Sequence, residues 1–120
     1  MKILLAENDL SFSEALRSTL TFSGYDVAVA YDGEQAIIQA KEQLPDIIIL
    51  DVMLDKVNGY EVCRHLRDDP KTGNIPIIIA TALGQIENER LAREVGANDY
   101  IRKPFEKSEI LAKILALHIP

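Results

Sequence analysis

The sequence predicts a single α/β domain built on a doubly wound parallel sheet. Short runs of consecutive apolar residues, such as residues 47–50, are typical of strands that are buried on both faces. These runs alternate with longer segments in which apolar residues recur at helical spacing, and this alternation favours a parallel sheet with helices on both faces. The 120 residues have room for one such domain, spanning 1–120.

Five segments have the composition of strands. The most apolar is 46–51, in which four aliphatic residues lead to the carboxylate of Asp51. The segment 75–80 carries Pro76 next to its first residue, where the missing N–H is tolerated. The remaining predicted strands are Lys2–Ala6, Asp26–Ala30 and 98–101.

The first helix is predicted from its start and stop residues. Ser11 and Glu14 form a capping-box pattern that predicts where the helix begins. Leu16 and Leu20 then recur at helical spacing, and Gly24 ends the helix.

The later helices follow the same logic. Asp32 with Gln35 predicts the start of the second helix, and Pro45 its end. A fourth helix over 86–95 stops at Gly96. The residues expected to face the core are Ala36, Ile37, Ala40 and Leu44 in the second helix, Val62, Cys63 and Leu66 in the third, and Ile110, Leu111, Ile114 and Leu115 in the last.

Composition excludes several classes of function. A net charge of -6 argues against direct binding of nucleic acid, which needs a basic surface to neutralise phosphates. The single cysteine, Cys63, excludes an internal disulfide and a cysteine-built zinc site, and we interpret it as a small core residue. No segment is long enough for a signal peptide or a membrane span, so we expect a soluble, cytoplasmic protein.

Polar side chains with related chemistry follow four of the predicted strands. Because the carboxyl ends of parallel strands lie along one edge of a sheet, these side chains should share a crevice. Carboxylates, a hydroxyl and an ammonium together suit phosphoryl transfer to a carboxylate, with oxygen ligands for Mg²⁺. The residues are Glu7, Asn8 and Asp9 after the first strand, Asp51 after the third, Thr81 after the fourth and Lys103 after the fifth.

This constellation resembles the receiver domain of two-component response regulators over essentially the whole chain. The matching features are the acidic cluster, Asp51, Gly59 eight residues later, Thr81-Ala82 and Lys103-Pro104-Phe105. The spacings also agree, with 43 residues from Asn8 to Asp51, 30 from Asp51 to Thr81 and 22 from Thr81 to Lys103. The resemblance implies a flavodoxin-like (βα)5 fold with strand order 2-1-3-4-5.

The resemblance also implies roles for the site residues. Asp51 would accept a phosphoryl group from a sensor histidine kinase or a histidine phosphotransfer protein. Mg²⁺ would be held by Glu7, Asn8, Asp51 and the backbone carbonyl of Met53. Such a domain catalyses only its own phosphorylation and dephosphorylation, so we do not expect an enzyme that acts on other substrates.

Further residues match the part of the family that changes shape. Thr81 and Tyr100 correspond to the switch pair, and Lys103 corresponds to the phosphoryl-binding lysine, whose bond to Pro104 is cis in the family. The switch would remodel helix four, strand five and helix five, the face for a downstream target or for a second copy of the chain. The chain would then work alone, or it is one domain of a longer protein.

Three departures from the family pattern qualify this interpretation. Asn8 replaces an aspartate that helps to hold the metal, so we expect Mg²⁺ binding to be weaker by about tenfold, or about 1.4 kcal/mol. Asp55 replaces a common proline, which predicts a less stiff loop. Met53 and Leu83 cannot orient a hydrolytic water by strong hydrogen bonds, which predicts slow loss of the phosphoryl group.

Two alternatives stay open from the sequence. The chain could be a pseudo-receiver, a binding module that works without phosphorylation because of Asn8. It could also be a phosphatase of the haloacid-dehalogenase type, but such enzymes need a second aspartate two residues after the nucleophile, where this chain has Met53.

Overall fold

The computed structural model describes residues 1–82 and 86–117. Over these ranges, strands and helices alternate strictly along the chain, as the sequence predicts. The elements are β1 Lys2–Ala6, α1 Leu10–Phe22, β2 Asp26–Ala30, α2 Gly33–Gln43, β3 Ile47–Asp51, α3 Gly59–Asp68, β4 Ile77–Thr81, α4 Ile86–Glu94, β5 Asp99–Arg102 and α5 Lys107–Leu117.

The five strands form one parallel sheet in the order β2-β1-β3-β4-β5, which confirms the predicted fold class and strand order. The longest helix, α1, has 13 residues. Within the described ranges, no helix combines the length and the apolar character that are needed to cross a bilayer.

The sheet separates two apolar cores. Alternate residues of each central strand point to opposite faces, so that every residue of β3 and β4 is buried. One face of the sheet packs against α2, α3 and α4, and the other packs against α1 and α5. Burial on both faces explains why the central strands are continuous apolar runs rather than alternating ones.

The start of α1 corrects one prediction. The helix begins at Leu10, and its N-cap is Asp9, two residues before the predicted cap Ser11. The Asp9 carboxylate accepts a hydrogen bond from the Phe12 N–H at 3.0 Å. Glu14 instead pairs with Arg17 at 3.0 Å. The carboxylate one residue before the helix accepts from a free N–H of its first turn, which leaves Ser11 no capping role.

The start of α2 agrees with the sequence. Asp32 is the N-cap, and its carboxylate accepts a hydrogen bond from the Gln35 N–H at 2.8 Å. The Gln35 side chain reaches back to accept a hydrogen bond from the Tyr31 N–H at 3.1 Å. This reciprocal pair fixes the direction in which the chain leaves β2.

Two residues that we expected to face the core are exposed. Leu44 is 51% exposed because α2 ends at Gln43 and Leu44 turns out of the helix in a left-handed conformation, with φ of 47°. Leu115 in α5 is also exposed, while its neighbours Ile110 and Ile114 are fully buried. The ends of α1 and α4 match the prediction, since Gly24 and Gly96 adopt positive φ two residues after the last residue of each helix.

Arg67, near the end of α3, joins this helix to the segments that precede β4 and β5. Its guanidinium donates hydrogen bonds at 2.7 to 3.3 Å to the carbonyl oxygens of Gly73, Ile75 and Gly96 and to the side-chain oxygen of Asn98. The same Asn98 oxygen accepts a hydrogen bond from the Ile77 N–H at 2.9 Å. No feature of the sequence pattern predicted this role.

Cys63 lies in α3 where this helix meets the end of α4, a contact that we call the junction of α3 and α4. Its side chain is fully buried, and the thiol donates a hydrogen bond to the carbonyl oxygen of Val95 at 3.4 Å. Burial raises the pKa of the Cys63 thiol to about 11. The interpretation of Cys63 as a core residue is therefore confirmed.

Candidate functional site

The sheet brings the predicted site residues to one edge. Asp51 is the last residue of β3 and is buried. In the neighbouring strand β1, Ala6 pairs with Leu50, so Glu7 follows β1 at the level of Asp51. On the other side, Thr81 is the buried last residue of β4 and pairs with Arg102 of β5, so that Lys103 comes next. Parallel register therefore places residues from four distant segments along one strand-end edge.

The ammonium of Lys103 connects two carboxylates in this edge. Its Nζ atom lies 2.5 Å from Oε1 of Glu7 and 3.3 Å from Oδ1 of Asp51. Both carboxylates are buried, and the Lys103 side chain is 17% exposed. The backbone also holds Lys103, because its N–H donates a hydrogen bond to the carbonyl oxygen of Thr81 at 2.8 Å. The peptide bond from Lys103 to Pro104 is cis, as the resemblance implied.

The charge balance of this site is negative. Burial raises the pKa of the Glu7 carboxyl, the hydrogen bond from Lys103 lowers it, and the nearby charge of Asp51 raises it. Two buried carboxylates beside one partly buried ammonium leave an excess negative charge in this site. Such a site favours the arrival of a cation or the removal of one carboxylate charge.

The donor atoms fit Mg²⁺ better than a softer metal. Glu7 and Asp51 offer carboxylate oxygens at adjacent strand ends, and Mg²⁺ commonly binds one or two carboxylates with water and phosphate as its other ligands. Asn8 is exposed and offers an amide oxygen. Within residues 1–82 and 86–117, no three His, Cys, Asp or Glu side chains are arranged to hold a metal ion. The predicted magnesium ligands Glu7, Asn8, Asp51 and Met53 stay a prediction.

The third carboxylate of the acidic cluster has another task. The backbone N–H of Asp9 donates a hydrogen bond to Oε2 of Glu7 at 3.1 Å, while its side chain caps α1. Asp9 therefore orients Glu7 through the backbone, and its own carboxylate is directed to the helix.

The loop after β3 is held close to the start of α2. The Gly33 N–H donates a hydrogen bond to the carbonyl oxygen of Asp55 at 3.0 Å. A Cβ atom on Gly33 would lie 1.8 Å from the carbonyl oxygen of Val57, which only glycine allows. Lys56 adopts positive φ of 68° and pairs with Asp32 at 3.6 Å. The residue that replaces the family's proline thus contributes a backbone anchor to this loop.

Gly59 lies against the backbone of Asp51. A Cβ atom at this position would lie 2.3 Å from the backbone carbonyl oxygen of Asp51. The Gly59 N–H also donates a hydrogen bond to the carbonyl oxygen of Val52 at 3.0 Å. The glycine eight residues after Asp51 is therefore required by the close approach of α3 to the end of β3.

Tyr100 links β5 to α4. Its hydroxyl donates a hydrogen bond to Oε2 of Glu89 at 3.3 Å, and the other oxygen of Glu89 pairs with Arg93 at 2.5 Å. On the α5 side, Lys113 pairs with Asp99 at 3.2 Å. The face formed by α4, β5 and α5 thus carries paired charges around the tyrosine. The switch role of Thr81 and Tyr100 stays a prediction, and Leu83 lies outside the described residues.

One aromatic neighbour of the site was not predicted. The Nζ atom of Lys103 lies 4.2 Å from the centroid of the Phe12 ring, and the ring of Phe105 stands perpendicular to that of Phe12 at 5.7 Å between centroids. From the sequence alone, Phe12 is indicated only as an apolar residue in the first turn of a helix. Its contact with Lys103 depends on a pairing across 91 positions, so no local pattern could reveal it.

The fold and the carboxylates at its strand ends define a class of doubly wound α/β proteins with an acidic edge at the carboxyl ends of the central strands. The family model described as "Response regulator receiver domain" matches residues 3–115, and the chain belongs to this family. The predicted family is confirmed: the chain is a receiver domain of the kind found in response regulators of two-component signalling.

Curated relatives and solved structures agree with this assignment. The DNA-binding dual master transcriptional regulator RpaA of Synechocystis is 42% identical over 116 residues, which cover 97% of this chain and 48% of the relative. The response regulator MprA of Mycobacterium avium is 40% identical over 118 residues, which cover 98% of this chain and 50% of the relative. The chain therefore spans about half the length of the curated relatives that it matches.

Two solved structures show how close the fold is. The chemotaxis response regulator CheY4 of Vibrio cholerae superposes with a TM-score of 0.91 at 28% identity, covering 97% of both chains. The receiver domain of the sensor histidine kinase PA1611 from Pseudomonas aeruginosa superposes with a TM-score of 0.90 at 30% identity, covering 97% of this chain and 95% of that chain. The latter structure is described with a magnesium ion coordinated in its active site cleft.

Proposed function

We propose that this chain is a phosphorylation-controlled switch in which Asp51 accepts the phosphoryl group. The observation that carries the proposal is the buried contact of Lys103 with both Glu7 and Asp51 at the strand ends. A fixed ammonium next to the acceptor carboxylate provides positive charge where the oxygens of an incoming phosphoryl group must lie. The magnesium-containing receiver from Pseudomonas aeruginosa supports the same chemistry by analogy.

The transfer is a displacement at phosphorus. A carboxylate oxygen of Asp51 attacks the phosphorus of a phosphohistidine on a sensor kinase or a histidine phosphotransfer protein. The new P–O bond gives an acyl phosphate, the P–N bond breaks, and the imidazole leaves with the bonding electron pair and takes a proton from solvent. Lys103 and Thr81 bind the transferred phosphoryl oxygens. Mg²⁺, when bound, supplies the charge that balances the phosphoryl group and the carboxylates.

Asn8 limits how strongly the metal is held. The side-chain carboxylates available for Mg²⁺ at this edge are Glu7 and Asp51, because the Asp9 carboxylate caps α1. An amide oxygen at position 8 is a weaker ligand for a hard cation than a carboxylate. We expect weaker binding than in a receiver with aspartate at this position, with the acceptor chemistry retained.

Phosphorylation would act on the face formed by α4, β5 and α5. Thr81 would turn toward the phosphoryl group and Tyr100 would follow inward, which requires its hydrogen bond to Glu89 to break. A downstream target or a second copy of the chain would bind this face. The domain modifies only itself, and a cytoplasmic location without direct contact to nucleic acid suits its acidic charge.

The test uses beryllofluoride, which mimics a phosphoryl group on an aspartate, at increasing Mg²⁺. We expect a saturable change in the NMR signals of Tyr100 that is absent in Asp51→Ala. Asp68→Ala, which removes an exposed carboxylate outside the site, should respond like the parent chain. Asn8→Asp should lower the Mg²⁺ concentration at half-saturation by about tenfold.

The same titration separates the alternative. A pseudo-receiver would show no response at millimolar Mg²⁺ in the parent chain, and a response only in Asn8→Asp. Direct detection of an acid-labile, alkali-labile phosphoryl group on Asp51 after incubation with acetyl phosphate provides the chemical confirmation.

A further inference from the structure

A closed ring of contacts surrounds the functional lysine. The Lys103 ammonium contacts Oε1 of Glu7, and Oε2 of Glu7 accepts a hydrogen bond from the Asp9 N–H at 3.1 Å. The Asp9 carboxylate in turn accepts a hydrogen bond from the Phe12 N–H at 3.0 Å. The ring of Phe12 then lies 4.2 Å from the Lys103 Nζ atom, which closes the circuit. One turn of α1 thus determines both a charged partner and an aromatic partner of Lys103.

The three N–H groups of an ammonium explain why an aromatic ring suits this place. Glu7 accepts a hydrogen bond from Lys103 and Asp51 forms an ion pair with it at 3.3 Å, which leaves part of the ammonium without a carboxylate. The face of an aromatic ring carries partial negative charge and attracts a cation within about 6 Å of its centroid. The attraction is stronger where water is excluded, and the Lys103 side chain is only 17% exposed.

Phe105 holds the Phe12 ring in this orientation. The two rings stand at 88° with their centroids 5.7 Å apart, a favourable edge-to-face arrangement. Because Phe105 is two residues after Lys103, the pair of rings connects the loop that carries the lysine to the first turn of α1. The ring cannot be replaced by an aliphatic side chain without losing both interactions.

We propose that Phe12 is a positioning residue for phosphoryl transfer, holding the Lys103 ammonium against Glu7 and Asp51 through a cation–π contact. This inference rests on the proposed function of Asp51 as the phosphoryl acceptor. Lysine has a long and flexible side chain, so a fixed ammonium requires contacts on more than one side. The ring supplies a neutral contact that does not compete with the phosphoryl group for the positive charge.

A second lysine and phenylalanine provide a matched control. Lys107 Nζ lies 5.6 Å from the Phe22 centroid, but Phe22 is 86% exposed at the end of α1. Water screens the charge there, and neither residue belongs to the strand-end site. Phe22→Leu therefore removes a ring of the same kind without touching Lys103.

The first experiment observes Lys103 directly in the metal-free, unphosphorylated chain. A ring face close to the ammonium shifts the NMR signals of the ammonium and its neighbouring methylene protons upfield. Lys103→Arg identifies these signals by their loss. We expect the upfield shift to disappear in Phe12→Leu, to persist in Phe12→Tyr and to be unchanged in Phe22→Leu.

The second experiment measures the rate of Asp51 phosphorylation by acetyl phosphate at saturating Mg²⁺. Phe12→Leu should be slower by about fivefold, which corresponds to about 1 kcal/mol. Phe12→Tyr should restore most of the rate. Incorporation of phenylalanines with increasing numbers of fluorine atoms at position 12 weakens the ring's negative face while largely keeping its shape, so the rate should fall stepwise with fluorination.

The outcomes separate this inference from the proposed function. An unchanged Lys103 spectrum in Phe12→Leu, or a flat rate along the fluorinated series, would overturn the positioning role even if Asp51 is phosphorylated normally. A parent chain that never becomes phosphorylated would overturn the proposed function, whatever the Lys103 spectrum shows. Thermal unfolding of each variant identifies losses of rate that come from loss of the fold.

Discussion

Two cations organise different regions of this domain. Lys103 contacts two carboxylates and an aromatic face at the strand-end edge. Arg67 instead donates to four uncharged oxygens in the segments that precede β4 and β5. The first cation lies among more negative charge than it can balance, and the second has a set of neutral acceptors matched to its planar, multi-donor head.

The difference shows which of the two partly buried cations can exchange its partners. A phosphoryl group brings oxygens that can take over the contacts of an ammonium, so Lys103 can change partners without leaving backbone groups unpaired. If Arg67 moved, three carbonyl oxygens and one amide oxygen would each lose a donor. Lys103 is therefore suited to function and Arg67 to holding the fold.

The largest effect is expected for Arg67. Replacing it in Arg67→Met keeps much of the apolar stem but leaves its four acceptors without this donor, so the free energy of unfolding should fall by about 3 kcal/mol. Urea denaturation followed by circular dichroism measures this change. Arg64→Met is the control, because Arg64 forms an exposed pair with Glu61 at 3.0 Å and its replacement should cost less than about 0.5 kcal/mol. Equal losses in the two variants would remove the contrast between the cations.

Replacing Asn98 should have an intermediate effect on the free energy of unfolding. Asn98→Ala removes the oxygen shared by Arg67 and the Ile77 N–H, and should lower the free energy of unfolding by about 1.5 kcal/mol. Asn98→Asp keeps an oxygen in place and adds a charge beside a guanidinium, so its cost should be less than half as large. Amide hydrogen exchange at Ile77 reports the same bond, and should accelerate only in the alanine variant.

At the Lys103 site, we expect a substitution to raise the free energy of unfolding rather than to lower it. Glu7→Gln removes one of two buried carboxylate charges but keeps an oxygen that can accept from Lys103, so the free energy of unfolding should rise by about 1 kcal/mol. The gain should come with weaker binding of Mg²⁺. Chemical denaturation without metal measures the change in the free energy of unfolding, with the exposed variant Glu61→Gln as the control. A loss of stability would mean that Lys103 already compensates both carboxylates.

The smallest effect is chemical rather than energetic. The raised pKa of Cys63, about 11 against an ordinary 9.0, lowers its thiolate fraction near neutral pH by about a hundredfold, and burial further restricts access. Folded protein should react slowly with iodoacetamide at pH 8, and unfolded protein in urea quickly. Arg67→Met should accelerate labelling under native conditions by opening the junction of α3 and α4. Labelling of the folded parent chain at the rate of the unfolded one would contradict this account.

Most of the fold followed from local patterns in the sequence. The apolar runs and the helix stops at Gly24 and Gly96 predicted the order of elements correctly, because burial on both faces and left-handed turns each restrict residue choice. The start of α1 was wrong because two capping patterns overlap, and the carboxylate of Asp9 prevails over Ser11. The prediction that Leu44 faces the core was wrong, because helical spacing alone does not show where a helix ends.

The candidate site was predictable where residues sit at strand ends. Glu7, Asp51, Thr81 and Lys103 meet as expected because parallel register fixes their level along the edge. Phe12 and Arg67 were missed for a different reason. Their partners are distant in sequence, and Arg67 bonds mainly to backbone carbonyls, which every residue type carries. A side-chain motif cannot encode a contact whose acceptor has no side-chain identity.

The left-handed conformation of Leu44 has a meaning for how this chain can evolve. A leucine with φ of 47° carries a backbone cost of about 1 kcal/mol, and its half-exposed side chain recovers little of it by packing. Replacing Leu44 by glycine or asparagine would relieve this cost without disturbing the core or the strand-end edge. A chain with such a reserve can tolerate a destabilising substitution elsewhere, including a change of charge on the face formed by α4, β5 and α5.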